Sequence, residues 1–297
     1  MNIKDIYDLN VGHVVENVDL SCYTTYKIKA IGRVLVIPEN LDKLKVLVDY
    51  IKKNNIKYKI LGNGSNLIFT NLVYDGILIK LDNFNHLYIN ENIVDVGAGY
   101  NLMKLALKVS MMGLSGLEFA TGIPATVGGA VYMNAGAYNS DISCVLESTV
   151  LLSPDLDVVT FSNEDLDFDY RMSYLQKSPG YVCLSAKFRL SFGDKDEIMG
   201  LVNRRRNRRL ESQPLEFPSA GSVFRNPDGD YAGRLIEEIG YKGKMNGGAQ
   251  VSNKHANFII NAGGATGKDI KDLICDIKSK VKESYDIDLK VEQEFVE

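Results

Sequence analysis

Cysteine and histidine are scarce in this sequence. Its 297 residues include four Cys and three His. No two Cys have Cys-x-x-Cys spacing, which argues against a zinc ribbon, and four thiols in so long a chain make no disulfide scaffold. Three His give no basis for a His-built metal centre. Basic residues are not in excess either. Lys and Arg number 34 against 38 Asp and Glu, for a net charge of -4, so a general nucleic-acid binder is excluded. The opening Met1-Asn2-Ile3-Lys4-Asp5 lacks the basic start and apolar run of a signal peptide. Only residues 119–140 form a long charge-free run, close to the roughly 20 apolar residues that span a bilayer. That run holds Gly122, Pro124, Gly128, Gly129, Asn134, Gly136 and Asn139. So many breakers and amides rule out a lipid-facing helix. The expectation is a soluble, cytoplasmic monomer with no membrane or nucleic-acid partner and no metal.

What is present is ordinary globular material. Hydrophobic residues are 45% and charged residues 24%, and the length suits two or three domains at roughly 100–200 residues each. Residues 26–37 read as a strand. Asn40 caps a helix whose apolar face is Leu41, Leu44, Leu47, Val48 and Ile51. Strands at 57–61 and 76–81 flank Gly62-Asn63-Gly64-Ser65-Asn66. Residues 87–89 and 93–96 read as paired strands. Asn101 caps a helix stopped by Gly113. Strands follow at 148–152, 158–161 and 182–190. Beyond Gly193, a helix runs from Asp194 to about Leu210. A short helix ends at Gly240, a strand covers 258–261, and Thr266 caps a long amphipathic helix. The alternation of Leu289, Val291 and Phe295 with Lys290, Glu292 and Glu294 predicts a final strand over 287–296.

Four segments can carry chemistry. Gly62 to Asn66 follows a strand, and successive N–H groups in such a loop form an anion nest. The same composition also makes a plain tight turn. Residues 120–138 pair small side chains with the donors Thr121, Thr126 and Asn134, which suits a pyrophosphate and flat ring threaded along backbone. A close-packed Gly/Ala crossing would read the same way. The basic run Arg204-Arg205-Arg206-Asn207-Arg208-Arg209 is a solvated helix face by default. Arg205, Arg208 and Arg209 share roughly one side, so a phosphate partner stays open. Ser222 lies among small polar residues, but Gly-x-Ser-x-Gly is absent, so a nucleophile elbow is not formed. His255 is the one base a hydrolase reading would use. A decoy also appears. Gly97-Ala98-Gly99 follows a strand, with Glu118 about 20 residues on, as a dinucleotide fingerprint requires. Its third glycine is Leu102, so we read an ordinary strand-to-helix turn.

Together these segments resemble the UDP-N-acetylenolpyruvoylglucosamine reductases, the MurB family of flavoenzymes. The resemblance runs collinearly over nearly the whole chain. Tyr23-Thr24-Thr25-Tyr26-Lys27-Ile28 is similar to the family's opening motif, and Gly62-Asn63-Gly64-Ser65-Asn66-Leu67 to its first phosphate loop. Gly116 to Phe119, Gly122 to Ala130 and Met133 to Tyr138 resemble its long flavin-binding segment. Tyr170-Arg171-Met172-Ser173 resembles its Tyr-Arg-x-Ser motif. Ser219 to Pro227 resembles its catalytic-serine region, and His255-Ala256-Asn257-Phe258-Ile259-Ile260-Asn261 its C-terminal signature. The short stretch between Arg171 and Ser222 is similar to the compact type that lacks a substrate-covering insertion. Two departures stand out. Lys29-Ala30-Ile31-Gly32 replaces the usual Gly-Gly-Pro-Ala, and the closing Leu-Glu-Pro-Glu-Val reads Leu289-Lys290-Val291-Glu292-Gln293.

The resemblance implies an α+β protein. It would have a two-part FAD-binding domain of the MurB and vanillyl-alcohol-oxidase-like type (1–82 and 83–193). An α+β substrate-binding domain (194–297) would follow, its final strand able to return to the flavin site. It implies non-covalent FAD, NADPH as co-substrate, and UDP-N-acetylglucosamine enolpyruvate as acceptor. Implied catalytic residues are Ser222, Arg171 and Glu292, with Glu294 as fallback. Implied cofactor residues are Gly62, Asn63, Gly64, Ser65, Asn66, Gly122, Ile123, Pro124, Thr126, Val127, Gly128, Gly129, Ala130, Asn134, Gly136, Ala137 and Arg209. Tyr170, Arg225, Asn226 and His255 would bind substrate. Two alternatives remain open from sequence. One is another flavin oxidoreductase of the same fold. The other is a flavin-free UDP-sugar-binding paralogue, prompted by Lys29-Ala30-Ile31.

Overall fold

The computed structural model describes residues 3–297. Met1 and Asn2, the start of the segment read for a targeting signal, lie outside the described residues. The chain forms two compact units. One comprises residues up to 15, 34–63 and 76–208; the other comprises 16–33, 64–75 and 209–297.

In chain order, α1 is Ile3–Asp8, β1 Gly12–Asp19, β2 Ile31–Pro38, α2 Leu41–Lys53, β3 Tyr58–Ile60, β4 Leu67–Phe69 and β5 Val73–Ile79. Next come β6 Leu87–Asn90, β7 Ile93–Gly97, α3 Leu102–Met111, β8 Leu114–Ser115, α4 Val127–Met133, β9 Gly136–Ala137 and β10 Ser140–Asp141. β11 Leu146–Leu152, β12 Val158–Ser162, α5 Tyr174–Lys177, β13 Val182–Arg189, β14 Ser191–Phe192 and α6 Lys195–Ser212 follow. The last elements are α7 Ala232–Glu238, β15 Met245–Asn246, β16 Ala249–Val251, β17 Ile259–Asn261, α8 Gly267–Tyr285 and β18 Glu294–Val296.

Two larger sheets are formed among the described residues. One has the order β1-β2-β5-β3, with β3 parallel to β5. The other is antiparallel, β12-β11-β13-β7-β6. Asn40 and Asn101 cap α2 and α3 as their side chains predict, each accepting from a backbone N–H three residues on. Leu44, Leu47, Val48 and Ile51 of α2 join Leu102, Leu105, Ala106 and Val109 of α3 in one buried cluster. Each such side chain contributes roughly 1.5–3 kcal/mol of burial. The charge-free run is not one helix. It breaks into a 3-10 turn at Glu118–Gly122, then α4, then the β9–β10 hairpin. Among the described residues no helix is long and apolar enough to cross a membrane.

The second unit packs α8 through Ile270, Leu273, Ile274, Ile277 and Val281. Thr266 caps α8 in a full capping box with Asp269. The sheet β15-β16-β17 is antiparallel, and β18 pairs in parallel with β4.

Two expectations are corrected. The strand predicted from residue 26 begins only at Ile31, because Lys27 turns the chain at φ 50°. The final strand is only β18. Upstream of it the backbone spends its hydrogen bonds on the serine segment described below, meeting it in a single bridge between Phe224 and Val291. α1, β1 and β4 carry no alternation or cap that sequence patterning detects.

Candidate active site

Residues 62–65 are set apart by their backbone. Leu61 still donates to Ile79 O at 2.8 Å, closing the β3–β5 pairing. The next four N–H groups, of Gly62, Asn63, Gly64 and Ser65, have no protein acceptor among the described residues. Unspent consecutive donors are what an anion requires, since a backbone N–H left without any partner is costly. Gly64 sits at φ 59°, and a Cβ there would collide with Tyr23 O, so only glycine fits. Lys80, nearly buried, donates to Gly62 O at 3.3 Å and lies 3.2 Å from Asp82. No sequence motif singles it out. Asn63 Nδ2 reaches Pro124 O at 3.3 Å. The donor set fits a cofactor phosphate.

Residues 120–138 use their backbone differently. The N–H groups of Ile123, Ala125, Val127, Gly128 and Ala130 all donate to protein carbonyls. Thr126 caps α4 by accepting from Gly129 N at 3.3 Å. Gly128 is small because a Cβ would lie 2.9 Å from Ala98 Cβ, and Gly62 because one would lie 2.7 Å from Thr126 Oγ1. Val127 and Ala130 are fully buried. They position α4 in the core and present no surface to a cofactor, which corrects their expected contact role. Asn134 is also buried: its left-handed conformation ends α4, its Nδ2 donates to Asp169 O at 3.0 Å, and its Oδ1 accepts from Ser143 N at 3.1 Å. It is a clamp, not a free donor. Gly122, Ile123, Pro124 and Gly129 keep accessible surface. Gly128, Ala135, Gly136 and Ala137 keep accessible surface as well.

Arg171 is delivered to the same stretch by a tight turn. Asp169 and Met172 exchange backbone hydrogen bonds of 3.1 and 3.0 Å, and Arg171 takes φ 56°. Its Nη2 donates to Gly136 O and its Nη1 to Asn134 O at 3.5 Å. The guanidinium lies 5.0 Å over the exposed Tyr170 ring. A Cβ at Gly136 would lie 2.9 Å from Arg171 Nη1, so the glycine admits the cation. Ala137 pairs with Ser140 in the β9–β10 hairpin. Ser173, the last residue of the Tyr-Arg-x-Ser motif, is fully buried and donates to Tyr132 O at 2.7 Å, the carboxyl end of α4. The motif's serine is therefore an anchor. In the basic run, Arg205 and Arg209 are half-covered while Arg208 is exposed. Arg205 stacks 5.0 Å over Tyr138, whose hydroxyl donates to Arg205 O at 2.9 Å.

The Gly97/Gly99 decoy resolves as packing. A Cβ on either glycine would collide with the carbonyl of Phe84 or Leu81. Glu118 is buried and accepts from Ser115 Oγ at 2.6 Å and Gly116 N at 2.9 Å. That carboxylate is committed locally.

In the second unit the segment around Ser222 is held from two sides. Asn257 Oδ1 accepts from Phe224 N at 2.9 Å, and its Nδ2 donates to Phe224 O at 2.8 Å. On the other side Arg225 N donates to Lys290 O and Glu292 N to Val223 O. The Ser222 hydroxyl is half-buried and has no protein partner among the described residues. It makes no hydrogen bond to His255. Glu292 is tied to the end of the glycine loop as well, because Asn66 Nδ2 donates to Glu292 O at 3.1 Å. Glu294 lies further along, its N–H on Asn66 O. Asn226 accepts from Ala232 N at 3.1 Å and so steadies the start of α7. His255 Nδ1 accepts from Asn257 N at 3.2 Å, which leaves Nε2 as its donor. Burial, the main cause, holds the His255 pKa below its ordinary value. Its neutral form is therefore favoured. Lys29 is exposed and Ala30 is buried, its carbonyl accepting from Leu20 N.

Comparison with known proteins identifies the family. Residues 32–162 match the family model described as FAD binding domain. Residues 213–296 match the one described as UDP-N-acetylenolpyruvoylglucosamine reductase, C-terminal domain. The chain is 47% identical to the UDP-N-acetylenolpyruvoylglucosamine reductase of Bacillus licheniformis over 99% of its own length and 97% of that protein's. The crystal structure of UDP-N-acetylenolpyruvylglucosamine reductase (MurB) from Thermus caldophilus superposes with TM-score 0.80 at 34% identity, covering 96% of this chain and 98% of that one. Physcomitrella patens BBE-like 1 shares the fold over 65% of this chain and 45% of that one, with TM-score 0.51 at 16% identity. The α+β architecture, an FAD-binding domain followed by a MurB-type C-terminal domain, is thus that of a flavin-dependent oxidoreductase, and the chain belongs to the UDP-N-acetylenolpyruvoylglucosamine reductase family.

Proposed function

We propose that this chain reduces UDP-N-acetylglucosamine enolpyruvate to UDP-N-acetylmuramate, a step of peptidoglycan precursor synthesis, with NADPH as reductant and non-covalent FAD as carrier. Such a nucleotide-sugar substrate fits a cytoplasmic protein. The observation that carries the reading is the Ser222 hydroxyl, left without a protein partner in a segment fixed on both sides. The unspent N–H groups of residues 62–65 would hold cofactor phosphate, with Arg209 as a further cation for it. Gly122 to Pro124, Gly129 and Gly136 to Ala137 would lie along the cofactor. FAD, when bound, supplies the hydride that adds to the terminal alkene carbon of the substrate.

The protein's own groups do the rest. As that carbon gains hydride, negative charge spreads onto the neighbouring carbon and its carboxylate. Arg171 would stabilise this charge, because its guanidinium is already oriented by two carbonyls. Glu292 would steady the same region. Ser222 Oγ–H would then give its proton to the neighbouring carbon, and the alkoxide regains a proton from solvent. A serine is a weak acid in water, but a strongly basic, well-placed acceptor compensates. Tyr170, Arg225, Asn226 and His255 would bind the nucleotide sugar, with His255 donating through Nε2.

The visible absorption spectrum tests the first half. The purified protein should show a flavin spectrum that bleaches on adding NADPH. A colourless protein that takes up no FAD would overturn the reading. Ser222→Ala should leave that bleaching intact and slow reoxidation by the enolpyruvyl substrate roughly 10²–10⁴-fold, the range of general acid catalysis. Equal slowing of both halves would remove Ser222 from proton transfer.

A further inference from the structure

One buried amide in the second unit gathers the whole serine segment. Gln293 is buried, and its Nε2 lies 3.0 Å from Ala220 O, 3.3 Å from Gly221 O and 3.4 Å from Ser222 O. Three consecutive carbonyls thus wrap around one nitrogen that has only two protons to give. The turn is possible because Gly221 takes φ 75°. The other end of the amide is fixed too, since Gln293 Oε1 accepts from Tyr26 Oη at 2.9 Å. Tyr26 is fully buried, and burial drives its phenol pKa upward. It therefore stays a neutral donor, and the donated proton fixes which end of the amide faces the carbonyls. Among the described residues the Ser222 Oγ has no protein partner of its own, so its location follows its backbone and its χ1 rotamer.

Resting on the reading of Ser222 as proton donor, we propose that Gln293, oriented by Tyr26, is a positioning residue that fixes where the Ser222 hydroxyl stands during protonation of the substrate carbon.

The test separates the two half-reactions of the flavin-loaded protein. Gln293→Leu should leave flavin reduction by NADPH within about twofold and substrate KM within about threefold, while reoxidation by the enolpyruvyl substrate slows at least about tenfold, as a sub-ångström misplacement does. Gln293→Glu provides a rescue. Its ionised carboxylate repels the three carbonyls, whereas its protonated form can donate to one. Reoxidation in Gln293→Glu, taken as a ratio to the wild type, should therefore rise as pH falls. Tyr26→Phe should give a smaller loss of the same kind. In a Ser222→Ala background, Gln293→Leu should add nothing. An undiminished effect there, or a flat ratio for Gln293→Glu, would overturn the proposal and leave Ser222 in its role. A normal reoxidation rate in Ser222→Ala would instead remove the serine, and this inference with it.

Discussion

Residues 62–65 and residues 119–137 share small side chains and lack carboxylates, yet they use their backbones in different ways. In the short loop four successive N–H groups are unspent. In the long stretch the N–H groups of 123, 125, 127, 128 and 130 go to protein carbonyls. Gly128 makes room for Ala98, and Gly136 for Arg171 and Asp141. Composition alone does not tell a cradle from a packed crossing. A complete account of backbone donors does, because each buried N–H must end somewhere. The short loop keeps its donors unspent; the long stretch spends its own and carries the carbonyls that hold Arg171.

The strongest challenge to this division is Gly64→Ala. It forces a side chain into a left-handed conformation and against Tyr23 O. A loss of roughly 3 kcal/mol or more in stability is expected, with no flavin absorbance in the purified protein. Retention of full flavin content would show that the loop does not hold the phosphate. Gly128→Ala sharpens the contrast. Its Cβ would press on Ala98 at 2.9 Å, so thermal unfolding should register a cost of roughly 1–3 kcal/mol. FAD affinity of the folded protein, measured by titrating FAD into flavin-free protein, should change by less than about threefold, because the N–H of residue 128 is already bonded to Ala98 O. A collapse of affinity at unchanged stability would reverse the assignment. Asn63→Ala probes the one side-chain hydrogen bond recorded between the two regions. That bond is long, at 3.3 Å, so stability should fall by no more than about 0.5–1 kcal/mol. A larger fall would mean that loop and floor form one cooperative piece.

Much of the scaffold was legible because its determinants are local. Asn40, Asn101 and Thr266 cap the helices they precede, and the apolar faces of α2, α3 and α8 are the buried ones. The final strand misled because its alternation holds only at its start, where Leu289 is buried and Lys290 is exposed; further on Val291, Glu292, Glu294 and Phe295 are all half-buried. What stops the ladder is distant in sequence, namely the serine segment that takes those hydrogen bonds. Of the candidate site, Ser222 and Arg171 were legible by motif. The supports of these residues were not. Lys80 reads as an ordinary lysine until its Nζ is found on Gly62 O, and Tyr26 and Gln293 are 267 positions apart. Val127, Ala130 and Asn134 belong to the flavin motif by sequence, but packing and capping account for them.

That separation of 267 positions also bears on how the protein is made. In the first unit, β6 pairs with β7 and β11 with β12, so these ladders close over short loops. The second unit relies instead on distant partners: Tyr26 with Gln293, Asn66 with Glu292, and β4 with β18. Such contacts are slow to form, since the entropy of closing a long loop is lost before any of them is gained. Segments 16–33 and 64–75 therefore gain these partners only once the last part of the chain has been made.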